Sequence, residues 1–365
     1  MRWCALTAAV LILFGGCAAP KEELRIGVVA ELSGPLSAYG RACLDGVRLA
    51  VAEWNENGGV RGKTVCIRTA DTRSQSGEAA LGALRLQSEG VCGIIGPTTS
   101  TGVKAALAAG PDIPLISPTA TADSIGEGDS GDWFFRICYT DSAQGSAMGE
   151  YARRLGFCRA VLLVDSGSDY SRGISRAFAR SFQAGGGRIA GTEYYTATDA
   201  DFTALLTGLS RYQYDCIYLP GYYAEAGLLI RQARQLGIDA AFLSGDAFDS
   251  PFLSRIIPDP AQLDGIYYTN HCAPEGEETA SFARRFETAF GYVPGAYAIL
   301  GYDAANWLLS AVEEGGQTPG AIRDLLEKSR EFRGVGGSFS IDGEHNAKKQ
   351  VRLIRICRGE RETVI

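Results

Sequence analysis

From Leu24 onward the chain alternates short, continuously apolar runs with longer stretches whose apolar residues recur every three or four positions. LRIGVVA, TVCIRTAD, VCGIIGP and PLISP have the unbroken apolar character of parallel strands covered by helices on both faces. Between the first two, Leu44, Val47, Val51 and Trp54 fall on one face of a helix, which the spacing ends at Asn57-Gly58-Gly59. The same rhythm restarts near Asp141. Met148, Tyr151 and Leu155 mark a helix face, followed by the strand AVLLVD. Ile174, Phe178 and Phe182 mark the next helix, and further strands read RIAGTEYY, CIYLPG, AFLSGD and GIYYTNH. Two consecutive βαβα runs predict an α/β protein with two doubly wound parallel-sheet lobes. From Glu278 the pattern turns helical, with Phe282, Phe286 and Phe290, then Leu300, Ala304 and Trp307. It closes with GGSFSIDGE and QVRLIRICR, expected as a hairpin about Asp342-Gly343, so the chain is expected to cross between lobes more than once.

The N-terminus reads differently. Arg2 precedes an apolar run from Cys4 to Phe14, well short of the roughly 20 residues that span a bilayer. Residues 1–16 are therefore expected to be a cleaved secretory leader. Phe14-Gly15-Gly16-Cys17 resembles a bacterial lipoprotein cleavage box, although Phe14 stands where such boxes usually carry Leu. That resemblance implies a lipid thioether on Cys17, a short tether over 17–23, and an extracytoplasmic body held at a bacterial membrane.

Composition narrows the function. A net charge of −7 gives no electrostatic footprint for nucleic acid. With two histidines at unrelated positions and no C-x-x-C pair, no metal site is expected. No G-x-S-x-G elbow occurs, and no constellation suggests catalysis or a cofactor. Gly126-Glu127-Gly128-Asp129-Ser130-Gly131 fits G-x-G-x-x-G literally, but it precedes a strand and carries two acids that would repel a pyrophosphate. The P-loop-like run from Asn57 to Thr64 joins a helix to a strand and is read as a turn. Eight cysteines follow Cys17 and are read as buried small hydrophobes, a Cys158–Cys216 bridge being the one conceivable pairing considered.

In open parallel sheets ligands bind beyond the carboxyl ends of strands, near helix N-termini. Here those ends read ELSGPLSAYG (31–40), GPTTST (96–101) and SPTAT (117–121), rich in hydroxyls and backbone N–H groups that suit a carboxylate.

The ordered series LSGPLSAYG, NGGVRGK, IIGPTTST, PLISPTATAD, FRICYTDSAQG, DYSRG, GYYAEAGLLIRQAR and GDAFDSP resembles the branched-chain amino-acid binding proteins of ABC importers, from about Leu24 to the last strands. The resemblance implies the periplasmic-binding-protein type I fold, with two Rossmann-like lobes joined by a three-crossover hinge. It implies lobes of 24–140 plus 272–332 and of 141–271 plus 333–365. It implies a monomeric, non-catalytic binder that closes on an amino-acid-like solute and delivers it to a membrane permease; a sensor of the same fold, or a binder of a small amide such as urea, is the alternative. Carried over by motif, Thr99, Ser100, Thr119, Ala120 and Thr121 would hold the α-carboxylate, with the choice among Thr98, Thr99 and Ser100 left open. Asp246 would meet the ammonium, and Asp141 is a second acid near the cleft. Tyr39, Tyr170, Tyr222 and Tyr302 would wall the pocket. A zwitterion needs this set: donors at one end, a carboxylate at the other and apolar walls between.

Overall fold

The structure is a computed structural model and describes residues 22–127, 129–273 and 276–364. The expected leader and Cys17 lie outside the described residues.

The first lobe is built from β1 (Glu23–Ala30), α1 (Ser37–Glu56), β2 (Thr64–Asp71), α2 (Ser76–Ser88), β3 (Ile94–Ile95), α3 (Ser100–Ala108), β4 (Leu115–Ser117) and β5 (Phe134–Arg136). Its sheet runs β2-β1-β3-β4-β5, all parallel. One face packs Val28, Ile95 and Phe135 against α1, and the other packs Val29, Ile94 and Leu115 against α2 and α3. That two-sided burial is why the strands read as unbroken apolar runs.

The second lobe follows with α4 (Asp141–Arg154), β6 (Arg159–Asp165), α5 (Asp169–Ala184), β7 (Arg188–Tyr195), α6 (Thr203–Gly208), β8 (Cys216–Tyr218), α7 (Tyr223–Gln235), β9 (Ala241–Ser244), α8 (Leu253–Ile256) and β10 (Ile266–Asn270). The chain then returns to the first lobe as α9 (Glu277–Phe290), α10 (Ala296–Glu314) and α11 (Pro319–Glu327), followed by β11 (Phe332–Gly334), β12 (Gly337–Ile341) and β13 (Ala347–Lys348). It crosses once more to give β14 (Arg352–Cys357) and β15 (Glu360–Thr363), so the second sheet is ordered β15-β14-β10-β9-β8-β6-β7. β14 and β15 are antiparallel to their neighbours, and the rest is parallel.

Two expectations change here. GGSFSIDGE and QVRLIRICR do not pair with each other: β12 pairs with β11 and β13, while β14 joins the second sheet. Residues 333–348 therefore belong with the first lobe, where Phe339 and Ala347 enter its core, and the boundary expected at 332/333 falls after Lys348. The physical reason is burial: Leu353, Ile354 and Ile356 on β14 fill the second lobe's core, whereas Phe332, Phe339 and Ala347 of the preceding strands pack into the first lobe's.

The returning helix α10 lies on α1 through two glycines. A Cβ at Gly46 would stand 2.0 Å from the Ala298 carbonyl oxygen, and one at Gly301 would stand 2.3 Å from that of Cys43. Only bare backbone allows this approach. All eight described cysteines are free; Cys158 is exposed and Cys216 buried, so the bridge considered between them is absent.

Candidate functional site

In the first sheet β1 lies between β2 and β3, and in the second β6 lies between β7 and β8. These are the points where strand order reverses and where doubly wound sheets open a crevice at their carboxyl ends. The loops after β3 and β4 from one lobe, and those after β6, β8 and β9 from the other, meet around a tightly closed cavity of about 10 Å³.

One wall is hydroxylated. Ser100 opens α3, so the first-turn N–H groups of that helix converge on the cavity beside its own hydroxyl. Thr98, Thr119 and Thr121 complete the wall, each at most 4% exposed. The Thr119 hydroxyl donates to the Thr98 carbonyl at 2.7 Å, and Ser100 Oγ accepts from the Ala122 N–H at 3.2 Å. The loops are thus tied to each other by their own hydroxyls.

The opposite wall carries Asp246 in a single turn of 3-10 helix after β9. It is 2% exposed. Its Oδ2 lies 3.0 Å from His271 Nε2, whereas Oδ1 has no hydrogen-bond partner among the described residues. A buried carboxylate oxygen left unpaired costs free energy, so it marks where a partner is missing. Gly245 makes room for this arrangement: a Cβ there would stand 2.1 Å from Tyr170 Oη.

Aromatic rings close the sides. Tyr170 and Tyr222 lie with centroids 5.8 Å apart, and Tyr297 from α10 completes the lining with Ala247. Tyr39 stands behind them, 4.3 Å from the Tyr297 ring and 5.6 Å from the Tyr222 ring. Its hydroxyl donates to the Ala247 carbonyl at 2.5 Å and accepts from the Tyr223 N–H at 2.8 Å. A residue of α1 thereby bonds two segments of the second lobe. Lys104 on α3 reaches Asp169 on α5 at 3.2 Å and adds a half-exposed ion pair across the same gap.

Of the residues singled out in the sequence, the cavity brings together Ser100, Thr119, Thr121, Tyr170, Tyr222 and Asp246. Five stand elsewhere. Tyr39 lies behind the lining rings. Thr99 is the N-cap of α3: its hydroxyl accepts from Gly102 N–H and donates to Glu31 at 2.9 Å, on the side of an outer cleft. Ala120 lies beneath the wall, its N–H held by Ser117 Oγ and its carbonyl by Arg136. Asp141 is buried at the start of α4, where burial raises its carboxyl well above the usual range. Its unpaired Oδ2 lies against the Gly173 backbone instead of the cavity. Tyr302 faces outward from α10 and donates to Glu53 at 2.6 Å. The lining residues that the sequence left open or missed are Thr98, Ala247 and Tyr297. Tyr297 had one local signal, its place directly after Gly295-Ala296 at the mouth of a helix.

Outside Tyr222 a second, wider cleft opens between the lobes, bordered by Glu31, Asp165 and Glu225. Burial raises all three carboxyls, that of Glu225 to about 8.

Comparison with known proteins agrees with this frame. The family model described as periplasmic binding protein matches residues 23–360. The Leu/Ile/Val-binding protein BraC3 of Rhizobium johnstonii is 27% identical over 90% of this chain and 89% of its own length. The substrate-binding protein LivJ of Streptococcus pneumoniae, solved in complex with isoleucine, is 33% identical with a TM-score of 0.87, covering 94% of this chain and 99% of that one. The leucine-binding protein LivK of Thermotoga maritima is 32% identical with a TM-score of 0.86, covering 94% and 98%. With its two crevice-forming sheets, its cavity between them and a family match over nearly the whole described chain, this protein belongs to the periplasmic binding protein family.

Proposed function

We propose that this protein captures a free α-amino acid with an aliphatic side chain in the cavity between its lobes and delivers it, chemically unchanged, to an ABC importer. The observation that carries the reading is the polarity of the cavity. Buried hydroxyls and a helix N-terminus line one wall, the unpaired Asp246 Oδ1 stands on the other, and tyrosine rings lie between. The α-carboxylate would lie on Ser100, Thr119 and Thr121, with Thr98 beside them, and the α-ammonium on Asp246. Each ligand charge then meets a complementary group, which offsets desolvation that an uncharged or singly charged solute could not repay. The side chain would lie among Tyr170, Tyr222 and Tyr297. The names of the relatives support leucine, isoleucine and valine as first candidates.

Tyr39 would act as a latch, since its two hydrogen bonds form only with the lobes together. The extracytoplasmic setting and a lipid anchor at Cys17 belong to the same reading. The test is calorimetric titration of the body lacking residues 1–17 with the twenty amino acids, urea and small amides. Micromolar or tighter binding of leucine, isoleucine or valine, with the ligand recovered intact by mass spectrometry, supports the proposal. Binding confined to urea or amides, or turnover of the ligand, overturns it.

A further inference from the structure

Asp246 is held by groups that the ligand would not touch. His271 follows β10 directly and is 2% exposed. Its Nε2 lies 3.0 Å from Asp246 Oδ2, its ring stacks on Tyr139 with centroids 3.9 Å apart, and its backbone N–H donates to Asn270 Oδ1 at 2.7 Å. The backbone N–H of Asp246 donates to Gln144 Oε1 at 3.2 Å, and the same oxygen accepts from the Thr269 hydroxyl at 2.6 Å. Backbone and one carboxylate oxygen are therefore fixed from α4 and β10, and only Oδ1 is left over.

Burial pushes the His271 imidazole below its usual range, against the pull of the Asp246 hydrogen bond and charge. A neutral imidazole has one N–H, and an ionised carboxylate only accepts, so the proton belongs on Nε2 and Nδ1 is bare. Nδ1 has no partner among the described residues. The chain's other histidine is its opposite. His345 Nδ1 lies 3.0 Å from the Phe134 carbonyl oxygen, a pure acceptor, which places that proton on Nδ1.

We propose that His271 is a positioning residue for the ligand's ammonium: its Nε2–H holds one oxygen of Asp246 and turns the other into the cavity. This rests on the amino-acid reading above. A neutral donor suits the task because it orders the carboxylate without cancelling the charge that the ammonium requires. The charged and titratable groups within electrostatic reach are Asp249 and Lys349 for His271, and Cys138, Tyr139, Asp141, Tyr170, Tyr218, Tyr222 and Tyr297 for Asp246. Protonation of His271 at low pH would give Asp246 a cation already in place and set it against the ligand.

Two measurements on the mature-length body test this. Nitrogen-15 NMR of the wild-type protein should show two histidines of opposite tautomer, with Nε2 protonated in His271; an Nδ1–H form of His271 overturns the proposal without any variant. Calorimetry with leucine, isoleucine and valine then compares wild type, H271F and H271Q. H271F keeps a ring on Tyr139 and loses the donor, so binding should weaken roughly tenfold or more. H271Q restores a neutral donor and should recover most of that loss. Wild-type affinity should fall at acidic pH, below the usual imidazole range, as the buried imidazole gains a proton, and H271Q should not follow it. Equal affinity of H271F and wild type, or no recovery with H271Q, sinks the role of His271 alone. No amino-acid binding by wild type sinks the parent reading and this one together.

Discussion

The inner cavity and the outer cleft are neighbours separated by Tyr222, and both contain buried acids, yet the acids differ in one respect. In the outer cleft none of the buried acids Glu31, Asp165 and Glu225 has an oxygen that is both fully buried and without a partner among the described residues. Glu31 accepts from the Thr98 hydroxyl at 2.5 Å and the Thr99 hydroxyl at 2.9 Å; Glu225 accepts from the Tyr222 N–H at 2.7 Å; Asp165 accepts from the Gly167 N–H at 2.9 Å. In the inner cavity Asp246 keeps an oxygen with no partner. Burial alone therefore does not identify a ligand contact, since all four residues are at most 7% exposed. An unmet hydrogen-bonding capacity facing a cavity does. The acids of the outer cleft hold loops and helix ends, and on the proposed reading that of the inner cavity meets the ligand's ammonium.

The largest expected effect separates the two classes. D246N keeps the shape and the bond to His271 but removes the negative charge, so the ligand's ammonium would be buried unpaired. Removing one partner of a buried charge pair costs about 2–5 kcal/mol, so leucine affinity should fall about 30-fold or more while the unliganded fold melts normally. Binding by D246N within threefold of wild type, measured by calorimetry, would place the ammonium elsewhere.

The next effect concerns closure. Y39F removes the hydroxyl that joins α1 to Ala247 and Tyr223, leaving a carbonyl and an N–H unmet whenever the lobes close. The closed population should drop and apparent affinity with it, by about five- to tenfold for a contribution near 1 kcal/mol. Small-angle scattering should show a smaller ligand-induced contraction at the same leucine concentration. An unchanged affinity would mean that Tyr39 packs the cavity wall and does not latch it.

Much of this was legible in the chain because the signals are local and periodic. The unbroken apolar strands and the i, i+3, i+7 helix faces gave the two doubly wound sheets, and the switch points then directed attention to the loops holding Ser100, Thr119, Thr121 and Asp246. What escaped depends on direction and on distant partners. Thr99 was read with its neighbours, but its hydroxyl caps α3 by accepting from Gly102 N–H and gives its proton to Glu31, on the side of the outer cleft. Tyr302 and Tyr297 share α10, yet five residues turn a helix by about 140° at 3.6 residues per turn. One ring therefore enters the cavity while the other meets Glu53 and Arg285. The Asp342-Gly343 turn was visible, but which strand it feeds is decided by the core that buries Leu353 and Ile354, far away in sequence.

The smallest effect on binding, and the sharpest contrast with D246N, is expected from E225Q. Glu225 caps α7 by accepting from the Tyr222 N–H, a role that Gln can keep with its carbonyl oxygen. Leucine affinity should stay within twofold of wild type. Stability should respond instead through pH. Burial raises the Glu225 carboxyl from 4.5 to about 8 in the folded protein, so the folded state holds a proton that the unfolded chain releases between those values. A raised acid contributes stability that is complete below about pH 4.5 and is lost as pH rises through about 8. At about 1.4 kcal/mol per unit, reduced by the contact with the outer cleft, wild type should lose a few kcal/mol at most between pH 5 and pH 9 on this account. E225Q should match wild type at pH 5 and melt at a higher temperature at pH 9. Parallel melting curves for the two proteins across that range would mean that Glu225 ionises freely in the folded state. The outer cleft would then offer a solvated negative wall, and the distinction between answered and unanswered acids would have to rest on Asp246 alone.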